Sequence, residues 1–341
     1  MILNSTHIDK VVSFLDTELR KDYSFSVREE YPALFSEFPG GESLVVTQEE
    51  RVVSHLGYVV REFQCADYRM KIGLIGSVVT EKAYRGQGIA SRLLKKAFEE
   101  LRSKGCVISL LWSDNAPFYL PLGFFRAGRE RDYKFSKDSV PDVTLNVRQA
   151  TLQDTNLIWR LYQRNQLKVD RSLEEQKNLL QIPKAHVFVA DKEGQVTAYV
   201  AVNKGADFEN YIHEWGGNPH DVMQLISYVQ KNILPENDLT LIAPDKVDLN
   251  PIKQFAIEKW NGAVGLFKIL DRTMLLSLYE NYLNKHQILY SWNREQNGIL
   301  FGKEEAFLRN DQEILQVIFG EGETPQTHPE LPFFLWGFDS I

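Results

Sequence analysis

Residues 84–105, "YRGQGIASRLLKKAFEELRSKG", join a turn broken by two glycines to an amphipathic helix. Gly86 and Gly88 take two Cβ atoms out of the turn, so its backbone can close on a ligand. The N–H groups of Gln87, Gly88, Ile89, Ala90 and Ser91 then fall at a helix start, where no intrahelical carbonyl accepts from them. Such donors, with the helix dipole behind them, suit an anion and in particular a diphosphate. Arg85, Gly88 and Ala90 fit the pattern Arg-x-x-Gly-x-Ala. No Gly-Lys-Ser/Thr follows, so this is not a Walker loop. No third glycine stands where a dinucleotide fingerprint needs one. By spelling alone the stretch reads more readily as a plain turn before a helix, and its neighbours shift that weight. An apolar strand, "GLIGSVVT", precedes it, and "VISLLW", Asn115 and "FYLPLGF" follow.

The elements around this stretch are legible from periodicity. Ile8, Val11, Val12, Leu15 and Leu19 share one helical face. "ESLVVTQEERVVSHLGYVVREF" reads as strand, turn and strand, and "MKIGLIGSVVT" as a third strand. Ile89, Leu93, Leu94, Ala97, Phe98 and Leu101 stripe the helix after the loop, and Gly105 stops it. After the polar, proline-containing "SKDSVPDVTLN" the order begins again. "TNLIWRLYQRN" and "HDVMQLISYVQKNI" read as helices, "AHVFVADKEGQVTAYVAVN" as a hairpin and "DLTLIAP" as a strand; "NPIKQFAIEKWNG" reads as a helix and "VGLFKILD" as a strand. The expectation is an α/β (α+β) chain with an internal duplication: a first domain at 1–138, a second at 143–270, and a small C-terminal αβ segment at 271–341. That segment offers a helix, a hairpin turning at Asn297-Gly298, a short helix, the extended "ETPQTHPELP" and the aromatic end "FFLWGFDSI". An end so apolar is expected to dock.

The chain has 341 residues and a net charge of -7, which leaves no electrostatic footprint for nucleic acid. Two cysteines, Cys65 and Cys106, make no disulfide framework; both read as small core residues of a reduced, cytoplasmic protein. No leader and no membrane-spanning run is expected. Asn4-Ser5-Thr6 matches a glycosylation acceptor by spelling only. No Cys/His spacing suggests a metal site, and no Gly-x-Ser-x-Gly elbow is present.

"SVVTEKAYRGQGIASRLLKKAFEELRSKG" with "NAPFYLPLGF" resembles the acetyl-CoA motif and the later Asn…Phe-Tyr…Gly-Phe segment of the GNAT superfamily of N-acetyltransferases. The resemblance covers 74–125 by motif and the rest of 1–138 by element order. It implies acetyl-CoA as co-substrate. The pantetheine arm would lie along the backbone of Val78, Val79 and Thr80, and the diphosphate on the loop headed by Arg85, from Gly86 to Ser91. Asn115 would touch the arm, and Tyr119 would return a proton to the departing thiolate. Lys82 stands where many members carry proline. The second half is similar in outline only: its matching loop is "EWGGNPHD", and Pro219 removes a donor. It reads as a degenerate copy. A tandem of this kind looks like the acetyltransferases of the enhanced-intracellular-survival type, in which the chain's final carboxylate enters the active site. The third part here is much shorter, at 271–341.

The implied reaction is attack of an amine on the thioester carbonyl, which needs a base, an oxyanion donor and an acid. A strand amide near Val79 is the donor and Tyr119 the acid. The base is left between the Ile341 carboxylate, Asp339, Glu81 and ordered water. His55 reads as a strand residue with a satisfied ring and His213 as an interface residue. Trp112, Phe118 or Trp336 could face an ammonium. The acceptor is then a small-molecule or peptide amine. A non-catalytic acyl-CoA-binding module and an acyltransferase with another donor are the alternatives.

Overall fold

The computed structural model describes residues 8–36, 40–293, 295–321 and 328–341; Asn4–Thr6, position 294 of the hairpin and part of the extended run lie outside them. Near-continuous apolar runs, such as 52–59 and 106–111, become strands. The strands are β1 (Gly41–Gln48), β2 (Arg51–Gln64), β3 (Arg69–Thr80), β4 (Ile108–Leu111), β5 (Phe125–Ala127), β6 (Glu130–Phe135), β7 (Asn146–Gln149), β8 (Lys168–Val169), β9 (His186–Lys192), β10 (Gln195–Lys204), β11 (Asp207–Gly217), β12 (Leu239–Pro244), β13 (Glu258–Gly262), β14 (Gly265–Ile269), β15 (Ser291–Asn293), β16 (Gly298–Phe301) and β17 (Glu304–Phe307). The stretches with three-to-four-residue periodicity become helices: α1 (Ile8–Leu19), α2 (Val27–Glu30), α3 (Pro32–Phe35), α4 (Ile89–Ser103), α5 (Ala116–Tyr119), α6 (Thr155–Gln163), α7 (Leu173–Leu179), α8 (Pro219–Tyr228), α9 (Asn250–Lys253), α10 (Arg272–Lys285) and α11 (Asp311–Phe319).

Two compact units result. The first holds Met1–Gly128, Ala263–Phe333 and Ser340–Ile341, the second Arg129–Gly262 and Phe334–Asp339. In the first, strands run in the order β1-β2-β3-β4-β14-β5. Helix α4 lays Leu93, Leu94, Ala97, Phe98 and Leu101 on one face, against Leu56, Tyr58, Ile75 and Leu111. Each large apolar side chain so buried contributes roughly 1.5–3 kcal/mol relative to exposure. The alternate strand residues Val45, Val59 and Val79 meet α1 and α3 on the other face. In the second unit β9-β10-β11-β12-β6-β13 repeats the same order, with β7 added beside β9. The duplication is therefore a duplication of sheet topology.

The units do not follow the contiguous division expected at 1–138, 143–270 and 271–341. Strand β6, from the first half of the chain, lies between β12 and β13 in the second unit. Strand β14, from the second half, lies between β4 and β5 in the first. Each inserted strand gives two short strands a hydrogen-bonded neighbour they otherwise lack. Residues 271–333 form no unit of their own: α10, the β15-β16-β17 sheet and α11 belong to the first unit. There Phe333 packs on Phe63 at 4.5 Å and Phe267 at 5.1 Å. The helix expected over 250–262 is a single turn, α9. Beyond it Glu258–Gly262 pair with β6, and these ladder bonds override a weak helical preference.

Residues 334–339 complete the second unit. Trp336 stands edge-on to Trp215 at 5.4 Å, and Asp339 accepts from Arg171 at 2.7 Å and from the Tyr162 hydroxyl at 3.1 Å. Arg171 also holds buried Glu214 through two hydrogen bonds of 3.0 and 2.9 Å.

Glu130 on β6 packs against Gly262. Burial, then the neighbouring Asp132, pushes its carboxyl up to about 8. A raised folded pKa means stability is fully present below the unfolded value and is lost as pH climbs towards 8. Glu130→Gln is therefore expected to match the wild type near pH 4.5 and to exceed it in Tm by roughly 3–6 °C at pH 8. Scanning calorimetry across that range reads the difference, and a gap that does not grow with pH contradicts the assignment.

Candidate active site

Strands β3 and β4 run parallel only briefly, pairing Ile72 with Ile108, Gly73 with Ser109 and Leu74 with Leu110. Strand β4 ends at Leu111, while β3 continues to Thr80, paired among the described residues with β2 alone. From Gly76 to Thr80 the β4 side of β3 is thus an open edge. Its backbone groups can add one more extended chain. The Thr80 side chain is turned away from this task. Ser54 Oγ donates to the Val79 carbonyl at 2.9 Å, so the 2.8 Å bond between Ser54 Oγ and Thr80 Oγ1 has Thr80 as donor.

A β-bulge interrupts the β2–β3 ladder at this point. His55 pairs with Val79 and Gly57 with Gly76, so Ser77 and Val78 oppose Leu56 alone. Ser77 takes a left-handed φ of 50°. Its carbonyl oxygen lies 2.8 Å from His55 Nδ1, and His55 Nε2 lies 2.9 Å from Ser43 Oγ. Burial holds the His55 ring down to about 4, against the pull of the Ser77 carbonyl.

After Thr80 a 3-10 turn, Lys82–Tyr84, leads to Arg85, whose Nε donates to the Thr80 carbonyl at 2.8 Å. Its guanidinium also sits 3.6 Å from Glu18, so Arg85 braces the loop on protein groups. Gly86 and Gly88 adopt φ of 77° and 69°, a region open to glycine at no cost. A Cβ at Gly86 would meet nothing within 4 Å, so it would project into the space above the loop. Helix α4 has no side-chain cap, and Arg92 makes the first of its backbone bonds, to Gly88 at 3.1 Å. The N–H groups of Ile89, Ala90 and Ser91 precede that bond. Arg92 also donates to the Gln87 carbonyl at 2.9 Å and brings a cation beside the donors, a role its exposed helical position did not signal.

On the far side of the split, Asn115 begins α5 with its N–H on Ser113 Oγ at 3.1 Å, and its side chain is exposed. Tyr119 ends the helix. Its ring is buried edge-on to Phe118 at 4.9 Å and Phe124 at 5.8 Å. Burial pushes the phenol up while a hydrogen bond from Ser113 draws it down, and the net effect is upward. The phenol therefore keeps its proton at neutral pH. Val78 packs against the same cluster as Tyr119. Val79 belongs to the opposite face, and there Ile341 packs.

Ile341 reaches β3 itself. A Cβ at Gly76 would overlap its main-chain carbon and oxygen. Sequence reading placed neither Gly76 nor Ser77 in the site, although a glycine inside a strand signals a close backbone approach. Of the other candidates for the base, Asp339 is buried on Arg171 in the second unit, and Glu81 is 3.3 Å from Arg51. Trp336 is also buried in the second unit, its indole nitrogen on the Leu167 carbonyl at 2.8 Å. Trp112 remains partly exposed, with its indole nitrogen on the Val264 carbonyl at 2.7 Å. His213 is buried in the second unit, its ring edge-on to Phe338 at 4.8 Å.

The second unit's corresponding helix, α8, starts differently. Asn218 accepts from the His220 N–H at 2.9 Å, Pro219 lacks a donor, and buried Asp221 brings its own carboxylate into the first turn. Lys192 and Thr197 hold that carboxylate at 2.8 and 2.6 Å. The start of α8 is thus capped by a side chain, while that of α4 is not.

Residues 3–127 match the family model for the acetyltransferase (GNAT) domain. No curated protein matches the chain. Among solved structures, an Enterococcus faecalis protein described as a probable N-acyltransferase is 16% identical at a TM-score of 0.63, covering 82% of this chain and 74% of that one. A GCN5-related N-acetyltransferase from Anabaena variabilis is 15% identical at 0.60, covering 81% and 74%. Eis1 from Mycobacterium abscessus is 12% identical at 0.54, covering 82% and 75%. At such identities the likeness is one of fold. The family match thus lies in residues 3–127, and over that stretch the chain is similar to GNAT acetyltransferase domains. Among the described residues no helix is long and apolar enough to cross a membrane.

Proposed function

We propose that the protein is an N-acetyltransferase that moves the acetyl group of acetyl-CoA directly to the primary amine of a small molecule or peptide. The observation that carries this reading is the open edge of β3 followed, through the Lys82–Tyr84 turn and the glycine loop, by the uncapped start of α4. Residues Val78 to Thr80 would hold the pantetheine arm through their backbone, and Gly86 to Ser91 would hold the diphosphate, with Asn115 at the arm's side. In this reading acetyl-CoA binds the first unit. The second, with Asp221 in its helix start, is a degenerate copy that leaves the standard site unused.

At the thioester end two groups serve the proton transfers. Tyr119, neutral and on the α4 face of β3, gives its proton to the departing sulfur. The Ile341 carboxylate, on the α1–α3 face beside Gly76, takes one from the attacking nitrogen. A donor and an acceptor on opposite faces of one strand suit an amine that enters on one side while the thiolate leaves on the other.

Thiol release measured with a panel of amines tests the reading. Release that requires an amine supports it, and tight acetyl-CoA binding without release would replace it with a binding module. A strong preference for longer acyl chains would change the donor. Tyr119→Phe is expected to lower kcat by about 10²-fold while leaving the Kd for CoA within about twofold. Full activity in the Tyr119→Phe variant would remove the acid from the scheme.

A further inference from the structure

We propose that His55 is a positioning residue for acyl transfer, setting the direction of the Ser77–Val78 peptide so that the Val78 N–H faces the substrate's thioester oxygen. The inference rests on the acetyltransferase reading above. It also assigns the oxyanion donor to one peptide, where the sequence pointed only to the neighbourhood of Val79.

Ser77 is a non-glycine residue at φ 50°, a strained conformation that persists only where its surroundings hold it. The hold is visible. A carbonyl oxygen can only accept, so the 2.8 Å contact requires the proton on His55 Nδ1. Nε2 is then bare and accepts from the Ser43 hydroxyl at 2.9 Å. The ring is fully buried and ring-packed on Phe35 at 5.7 Å, so it has no freedom to release the carbonyl. In a trans peptide the carbonyl and the following N–H point in opposite directions. With the Ser77 oxygen drawn to the ring, the Val78 N–H points away from it. Among the described residues Val78 has no cross-strand partner in the β2 register, and β3 has none on its β4 side here. Burial that keeps the ring neutral also keeps Nε2 available to Ser43, which fixes the tautomer.

Three measurements test this on the full chain. His55→Leu, which lacks the donor, is expected to lower kcat about 10²-fold, the typical effect of losing one oxyanion donor, with KM for acetyl-CoA changed less than about threefold. His55→Asn keeps a donor near the Nδ1 position and is expected to recover at least tenfold of that loss. Equal impairment of the two variants, or a KM that moves as far as kcat, overturns the proposal in favour of a packing role. Nitrogen NMR of the resting protein, with labelled histidine, is expected to show the Nδ1–H tautomer at His55. An Nε2–H tautomer overturns the proposal whatever the kinetics. A wild type silent towards every amine removes the acetyltransferase reading instead, and the imidazole signal then decides the peptide's orientation alone.

Discussion

Replacing Gly76 with alanine is expected to lower kcat by about 10²–10³-fold, the scale on which a positioned proton acceptor acts. The backbone of Gly76 lies in a strand, so alanine fits its conformation, and the effect comes from space alone. A methyl group there would occupy the position of the Ile341 main-chain carbon and oxygen. Strand β3 is held on β2 by ladder bonds from Arg69 to Thr80, so the terminal residue must move instead. Deleting Ser340 and Ile341 removes the same group and is expected to cost a similar factor. The two changes act on one interaction, so combining them should add little, and that non-additivity separates a lost base from general damage. Steady-state rates with saturating acetyl-CoA make the comparison. Wild-type kcat in the Gly76→Ala variant would retire Ile341 from the mechanism and leave proton loss to water.

What sequence revealed follows how local each feature is. The glycine loop before α4 is written in consecutive residues, and the alternation of Gly86 and Gly88 before an amphipathic stripe needs no distant partner. The stop at Gly105 is equally local: its φ is 80°, and the Cys106 N–H closes on Leu101 at 3.0 Å. The duplication was legible because two runs of elements share an order. The exchange of β6 and β14 was not. A short apolar strand such as "GLFKI" carries no mark of which β-sheet it joins, and its partners Leu111 and Ala127 lie far away in the chain. The aromatic end announced that it would dock, yet nothing in "FFLWGFDSI" told where. Phe333, Trp336, Asp339 and Ile341 make separate arrangements, and the last lies against Gly76 of β3. His55 was visible as a satisfied strand residue; that its partner is the carbonyl of a bulge required the register slip, which one sequence does not encode as a pattern.

The cradle itself yields to a substitution with a built-in control. Gly88→Trp is expected to weaken acetyl-CoA binding by at least about 10²-fold, because the indole would fill the space into which the amides of α4 point. Two effects are mixed in that variant. A side chain at φ 69° costs about 1–2 kcal/mol of backbone strain, and the ring also blocks the ligand. Gly105 separates them. It too is left-handed, at φ 80°, and its Cβ would meet nothing within 4 Å, but it lies at the opposite end of α4. Gly105→Trp should therefore lose a comparable amount of stability and bind acetyl-CoA as the wild type does. Titration calorimetry for binding, with thermal unfolding for stability, distinguishes the outcomes. Equal loss of binding in both variants would mean that strain in α4, and not occupation of its start, is responsible. Unchanged binding in the Gly88 variant would mean that the diphosphate rests elsewhere, and the acyltransferase scheme built along β3 would lose its anchor.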